Sequence, residues 1–279
     1  MTFKAYLINL DRNPERLAFM SKQLEANTIA FERENAIDGK EYNFSSEYND
    51  DHYKRINSGA TMSLGERGCA LSHKHALERM LKDNCDYALI MEDDVELPTH
   101  FKKVLDDVLT KRFASKTSWE YLSFNYPSVG YKAIILWLFL FFTMFSNKKG
   151  NRKYLTLPIY FIKFLVNTIL FSGEGLREWL YKKIYTFGTP AIFIRPLYLA
   201  GCYIVTREGA QKLLRTQGPL LSYTADRLPN VARVREELKF YAFSPLLVIQ
   251  RRDQFQSNSV DPDFDAKVKS FMGGRLLRE

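Results

Sequence analysis

The chain has 279 residues, is 46% apolar and contains 14 glycines and 10 prolines, a composition that excludes disordered, collagen-like and low-complexity proteins. This length suits one large α/β domain that carries an insertion. The net charge of +8 is local, because residues 131–187 hold nine basic and two acidic side chains, and this excludes the spread basic surface of a nucleic-acid-binding protein.

The first quarter of the chain predicts two strands and a helix. The predicted elements are a buried strand at residues 3–10, a helix that starts at Pro14 after an Asn13 N-cap, a second strand at residues 28–31, a loop at residues 36–39 and a polar surface excursion at residues 40–60. Ser63 and Glu66 then form a capping-box pattern, which predicts a helix that runs to about Lys82.

The rest of the chain alternates strands with helices. The predicted elements are strands at residues 87–91, 119–124, 200–205 and 240–249, a helix from Pro98, and a helix that Thr206 caps and Gly218 ends. This alternation predicts a Rossmann-like α/β fold with a largely parallel, helix-covered sheet.

Three consecutive acidic residues, Glu92, Asp93 and Asp94, follow the apolar strand at residues 87–91. Unpaired carboxylates are too costly to bury, so the triplet is expected at the carboxyl edge of the sheet, where open α/β folds bind ligands. Side chains at positions i and i+2 of an extended strand point the same way, which pairs Glu92 with Asp94. Oxygen ligands of this kind suit Mg²⁺ or Mn²⁺, and a solvated strand end or an acid-rich helix N-terminus is the alternative.

The cysteines and histidines indicate no metal site of their own. Cys69, Cys85 and Cys202 form no CxxC pair, and no secretory signal is visible, so reduced cytosolic thiols in or near the core are expected. The four histidines show no zinc-type spacing, which argues against a zinc site.

Four segments together resemble glycosyltransferase family 25, the bacterial lipooligosaccharide glycosyltransferases. They are LINLDR at residues 7–12 with Arg16, GERGCALSH at residues 65–73, LIMEDDV at residues 89–95 and GCYIVTREGA at residues 201–210. The likeness extends over residues 1–125 and 198–260 in matching order. It implies a single GT-A-type catalytic domain over residues 1–279, with a central mixed sheet flanked by helices.

The resemblance also implies a reaction and its site residues. It implies transfer of a hexose, most often galactose, from a UDP-sugar to a lipid-linked oligosaccharide such as lipooligosaccharide or lipopolysaccharide, and inversion is expected. Glu92 and Asp94 are the expected ligands of Mn²⁺ or Mg²⁺. The residues expected to bind or position the donor are Asn9, Leu10, Arg12, Arg16, Asp38, Gly65, Ser72, His73, Asp93, Gln250 and Ser257.

Several of these residues have a plainer alternative. Asp226 is the candidate base for an inverting reaction, or a cap for residues 227–230, and Thr224 stands where the family usually has proline. Arg16 is either a donor contact or a solvated residue on a helix face. His73 falls on an apolar face, where a satisfied core histidine is the alternative to a ligand. Asp38 binds the nucleoside or simply belongs to a loop.

The insertion at residues 131–187 is hydrophobic and basic. Residues 133–145 are uncharged and residues 157–171 form a second apolar run, but neither reaches the length that spans a bilayer. Beside basic clusters, such runs predict helices on an anionic membrane surface, here the inner face of the bacterial inner membrane; packing on the domain or a dimer interface is the alternative. A catalytically inactive membrane-associated protein that binds nucleotide sugars is the alternative function.

Overall fold

The computed structural model describes residues 1–110, 118–125, 189–191, 200–244, 247–251 and 255, and the elements below are numbered over these residues. The strands are β1 (Phe3–Asn9), β2 (Glu32–Asn35), β3 (Tyr87–Glu92), β4 (Val95–Glu96), β5 (Tyr121–Ser123), β6 (Thr189–Ala191), β7 (Cys202–Thr206), β8 (Phe240–Ser244) and β9 (Ile249–Gln250). The helices are α1 (Pro14–Ala26), α2 (Asp50–Ile56), α3 (Leu64–Lys82), α4 (Phe101–Leu109), α5 (Arg207–Gln217) and α6 (Leu228–Arg235).

A seven-stranded mixed sheet with the order β2-β1-β3-β7-β5-β8-β6 forms the centre of the fold. The pairs β1/β2, β1/β3 and β5/β8 are parallel, whereas β7 runs antiparallel to both β3 and β5, and β6 antiparallel to β8. The predicted α/β class with a central mixed sheet is therefore confirmed. The expectation of a largely parallel sheet is wrong, because β7 enters the middle of the sheet in the opposite direction.

Helices cover both faces of the sheet, as the strand pattern requires. Leu89 and Met91 of β3 pack on one side with α1 and α4, and Ala88 and Ile90 pack on the other side with α3, α5 and α6. Successive side chains of a strand point to opposite faces, so a strand buried on both faces is continuously apolar. This is why residues 87–91 lack the alternation of a half-exposed strand.

The helix starts follow the predicted caps. Ser63 Oγ accepts a hydrogen bond from the Glu66 amide, and a Glu66 carboxylate oxygen accepts one from the Ser63 amide, which completes the capping box of α3. Thr206 caps α5 through a bond from the Gly209 amide. Asn13 precedes α1 as predicted, but its side chain makes no capping bond. Both capped helices, α3 and α5, pack on the same face of the sheet.

Two local predictions differ from the structure. The second strand lies at Glu32–Asn35 rather than at residues 28–31, because Thr28 adopts a positive φ of 55° that ends the preceding helix in a turn. Residues 40–60 contain α2, and Phe44, Tyr48 and Tyr53 form a small core with Met62 and Leu71. The excursion is therefore packed on the domain, and its aromatic residues supply the contacts.

The predicted insertion at residues 131–187 lies outside the described residues, as does Ser257. Within the described part of the chain, no helix combines the length and apolar character that a membrane crossing needs.

Candidate functional site

The acidic triplet forms the turn between β3 and β4, with Glu92 as the last residue of β3. Strand β4 pairs with β9 so that Val95 lies opposite Gln250, which brings a residue from the far end of the chain beside the turn. Gln250 Nε2 donates to Glu92 Oε2 at 3.2 Å and to the two oxygens of Asp94 at 3.1 and 3.0 Å. The carboxylates of Glu92 and Asp94 thus converge on one point.

This convergence has an electrostatic cost. Asp94 is only 6% exposed, and burial together with the neighbouring charge of Glu92 raises its pKa to about 7, although the Gln250 bonds oppose the shift. The Oε1 atom of Gln250 is buried and has no hydrogen-bond partner within the described residues. Two convergent carboxylates offer the oxygen ligands that a hard divalent cation such as Mg²⁺ or Mn²⁺ prefers, so the residues present fit such an ion.

Asp93 points away from this pair and into the protein. Its two oxygens accept bonds from Asn9 Nδ2 at 2.7 Å and from Arg16 Nη1 at 3.1 Å. Arg16 is 6% exposed, and its guanidinium lies 5.0 Å from the centre of the Phe255 ring. The alternative of a solvated helix face is therefore wrong for Arg16, because α1 packs this position against the base of the acidic turn.

Asn9, the last residue of β1, makes hydrogen bonds that connect β1 to β2 and to the acidic turn. Its Oδ1 accepts from Arg33 Nε at 3.0 Å, and its backbone carbonyl accepts from the Ala36 amide at 3.0 Å. The carbonyl of Leu10 closes the next turn by accepting from the Asn13 amide. Among the predicted donor-binding residues, Asn9 and Leu10 therefore support the shape of this edge. Arg33 was not singled out from the sequence, because nothing local relates it to Asn9.

Arg12 and Asp38, both predicted to bind the donor, form an ion pair across the ends of β1 and β2. Asp38 belongs to a loop that packs tightly on the first turns of α3. A Cβ at Gly68 would lie 2.4 Å from the Ile37 carbonyl oxygen, and Ser72 Oγ accepts from the Ile37 amide at 2.8 Å. Ser72 is 1% exposed and so holds the loop in place; Gly65 lies in the first turn of α3, beside this loop.

Replacing Gly68 with alanine is expected to lower the free energy of unfolding by about 1–3 kcal/mol, because the added methyl group collides with backbone rather than with a movable side chain. Hydrogen exchange should accelerate at residues 36–39 as the loop lifts from α3. Gly209→Ala is the matched control, since its Cβ would lie 2.3 Å from the Glu120 carbonyl oxygen on another part of the sheet. It should destabilise the protein without changing exchange at residues 36–39, and equal exchange in both variants would contradict the assignment.

His73 lies between Glu92 and β7. Its Nε2 is 3.2 Å from Glu92 Oε1, and its Nδ1 is 3.0 Å from the hydroxyl of Tyr203, whose ring stacks on it. His73 is 2% exposed, as expected for a satisfied buried histidine. Cys69, one helical turn earlier, has its Sγ 3.5 Å from the same Glu92 oxygen. Burial, with the charges of Glu92 and Asp226, raises the pKa of the Cys69 thiol well above its usual range.

Asp226 lies near this cluster. Its Oδ1 accepts from the Ala200 amide at 2.8 Å, which connects the loop before α6 to the segment that enters β7. The next residue after Ala200, Gly201, accepts a hydrogen bond from the Glu92 amide at 2.8 Å through its carbonyl oxygen. The structure thus brings Asp226 to the same edge of the sheet as the acidic turn.

The sequence analysis did not single out three residues that make hydrogen bonds in this site, namely Cys69, Tyr203 and Arg33. The i, i+4 spacing of Cys69 and His73 was a usable signal, since such residues lie on one face of a helix. No local sequence pattern pointed to Tyr203 or Arg33, because their partners, His73 and Asn9, are far away in the chain.

Comparison with known proteins identifies the family of this chain. The sequence model described as glycosyltransferase family 25 (LPS biosynthesis protein) matches residues 2–228. A "Glycosyltransferase 25 family member" from Anopheles gambiae is 26% identical over 222 residues, which cover 76% of this chain and 28% of that protein. One from Aedes aegypti is 34% identical over 116 residues, which cover 37% of this chain and 18% of that protein.

A third relative carries a different name. The "Inactive glycosyltransferase 25 family member 3" from Homo sapiens is 30% identical over 122 residues, which cover 42% of this chain and 20% of that protein. In all three comparisons the matched region spans less than a third of the relative's own length.

Proposed function

Because this chain belongs to glycosyltransferase family 25, we propose that it transfers a hexose, with galactose as the first candidate, from a UDP-sugar to an oligosaccharide carried on a lipid. The convergence of Glu92 and Asp94 on the Gln250 amide supports this proposal most directly. A divalent cation held by these residues supplies charge neutralisation for the departing diphosphate. Glu92 and Asp94 would hold this cation, and the Gln250 amide lies beside both carboxylates.

The remaining residues of the proposed site hold this arrangement in place. Arg16 and Asn9 fix Asp93, and so keep the acidic turn in the conformation that points Glu92 and Asp94 together.

The Arg12–Asp38 pair at the ends of β1 and β2 is the proposed contact surface for the nucleoside. A guanidinium and a carboxylate offer the donors and acceptors that a uracil and a ribose require.

Asp226 is the proposed general base. In an inverting transfer the acceptor oxygen forms its bond to the anomeric carbon while the bond from that carbon to the phosphate oxygen breaks. The electron pair leaves with the diphosphate, and the acceptor hydroxyl proton passes to Asp226. The bond from the Ala200 amide orients this carboxylate. Thr224 stands where the family usually has proline. In the structure, residues 224–227 form a turn that leads directly into α6.

A panel of UDP-sugars, each tested with Mn²⁺ and with a chelator, examines this proposal. We expect one UDP-hexose plus Mn²⁺ to raise the melting temperature and to release UDP when an oligosaccharide acceptor is present. UDP-sugars that neither stabilise the protein nor turn over, under any metal condition, would contradict the proposal.

A second candidate is a nucleotide-sugar-binding protein without transferase activity. The name of the human relative, which contains the word inactive, favours it, as does Thr224 at the position where the family usually has proline. The same panel separates the two functions. Stabilisation by a UDP-sugar with no UDP release and no glycosylated product would support the binding protein.

We also propose that the chain acts at the inner face of a bacterial inner membrane, where its residues 133–171 lie on the anionic surface. This proposal is based only on the apolar runs and basic clusters in the sequence, since these residues are outside the described part of the chain. Deleting residues 133–171 should abolish flotation with anionic vesicles while UDP binding remains. Equal flotation of the deletion variant, or equal binding of the full chain to neutral vesicles, would contradict membrane docking by charge.

A further inference from the structure

The side chains of Cys69, His73 and Glu92 form a cluster that the proposed transfer reaction does not use as a unit. Cys69 and His73 are one turn apart on α3, and Glu92 ends the neighbouring strand β3. One ligand atom from each residue, namely Sγ, a ring nitrogen and a carboxylate oxygen, lies within 4.8 Å of the other two. Sulfur, imidazole nitrogen and carboxylate oxygen together are ligands of Zn²⁺ rather than of Mg²⁺.

The two distances to Glu92 Oε1 suit a tetrahedral ion, and Cys69 Sγ lies within 4.8 Å of the His73 ring nitrogen. Zinc bonds of ordinary length place neighbouring ligand atoms roughly 3.3–3.6 Å apart. Glu92 Oε1 lies 3.2 Å from His73 Nε2 and 3.5 Å from Cys69 Sγ. Three protein ligands would leave the fourth position of a tetrahedron for water or a ligand atom.

The surroundings of His73 supply a second observation. Its Nδ1 is bonded to the Tyr203 hydroxyl, and the Tyr203 ring is itself stacked on Tyr121, with ring centres 4.6 Å apart. Metal-binding histidines are characteristically held through the other ring nitrogen in this way, because the partner fixes the orientation of the ring. The side chain of His73 is 3% exposed and that of Glu92 is 21% exposed, so an ion would approach from the Glu92 side.

We propose that Cys69, His73 and Glu92 form a binding site for a soft divalent cation of the Zn²⁺ class, adjacent to the hard-cation position of Glu92 and Asp94. Glu92 faces both positions, since its Oε1 lies with Cys69 and His73 while its Oε2 accepts from Gln250. Binding replaces the thiol proton of Cys69, which is released to solvent, and binding through Nε2 of His73 leaves the imidazole proton on Nδ1, beside the Tyr203 hydroxyl. The site does not depend on the proposed transferase activity.

Cobalt provides a direct spectroscopic test, because a Co²⁺–thiolate bond produces a charge-transfer band in the near ultraviolet. The full-length chain, freed of metal with a chelator, is titrated with Co²⁺. We expect the band to grow to one equivalent and to disappear when Zn²⁺ is added. Cys69→Ser should lose the band, whereas Cys85→Ser should keep it, since Cys85 contacts Tyr6 at a separate position.

A measurement on the unaltered protein guards against misfolded variants. Zn²⁺ should slow alkylation of Cys69 at least about tenfold, and peptide mass spectrometry can compare Cys69 with Cys85 and Cys202 in the same sample. A missing band in the parent protein, a band that survives in Cys69→Ser, or unprotected Cys69 would each overturn the site. Asp94→Asn should retain the band, so failure of the zinc site and failure of the transferase proposal are separable.

Discussion

Replacing Asp94 with asparagine is expected to stabilise the metal-free protein and, at the same time, to abolish sugar transfer. The folded protein raises the pKa of Asp94 to about 7 because the carboxyl is buried beside Glu92, so its ionisation at neutral pH opposes folding. The variant should gain on the order of 2 kcal/mol in the free energy of unfolding at about pH 8. Transfer should fall about 100-fold or more, because a cation ligand is lost.

The pH dependence of the free energy of unfolding identifies why Asp94→Asn is more stable than the parent protein. A carboxyl whose pKa is raised by folding costs nothing below its ordinary pKa, and the cost grows as pH rises from about 4 to about 7. Urea unfolding in the presence of a chelator should therefore show the gain at pH 8 and almost none at pH 4. Asp106→Asn is the control, since Asp106 is half-exposed beside Lys102 and should change stability little at either pH. A gain that is equal at pH 4 and pH 8 would contradict the electrostatic explanation.

Replacing Arg16 with methionine is expected to destabilise the protein by about 3–5 kcal/mol at pH 8, because it leaves the buried carboxylate of Asp93 without its cation. Burial already raises the pKa of Asp93, against the bonds from Asn9 and Arg16. Without Arg16 the pKa should rise further. The destabilisation should then shrink as pH falls and Asp93 takes up a proton, which equilibrium unfolding at several pH values can follow.

Two variants test whether charge or packing is responsible. The double variant with Arg16→Met and Asp93→Asn removes both charges and should recover most of the lost stability. Lys102→Met breaks an exposed pair with Asp106 and should cost about 0.5 kcal/mol or less. If Arg16→Met is equally destabilising at every pH, the contact of its side chain with Phe255 is the important one, and the charge argument is wrong.

Glu92 connects the two cation positions proposed for this protein. The Asp94 side presents oxygen donors and the Cys69 side presents sulfur and imidazole. A soft ion bound by Cys69 and His73 would compete for the charge of Glu92 and so weaken binding of Mn²⁺ beside Asp94. This expectation follows from both proposals together, whereas each of them is tested separately above.

Local patterns in the sequence were sufficient to predict the main helices and strands of the described part. Ser63 and Glu66 cap α3 and Thr206 caps α5, because each bond joins residues only three positions apart. The apolar run at residues 87–91 predicted a doubly buried strand, since burial on both faces requires apolar side chains at every position. The four family segments also predicted the α/β class with a mixed sheet and the family itself.

Only the tertiary structure decided which residues meet around the acidic turn. Gln250 reaches Asp94 through the pairing of β4 with β9, and Arg16 reaches Asp93 because α1 packs on the same edge. His73 meets Tyr203 because β7 lies antiparallel to β3 in the middle of the sheet. A sequence pattern reports forces between neighbours in the chain, whereas these contacts depend on strand order and helix packing, which join residues that are 77 to 156 positions apart.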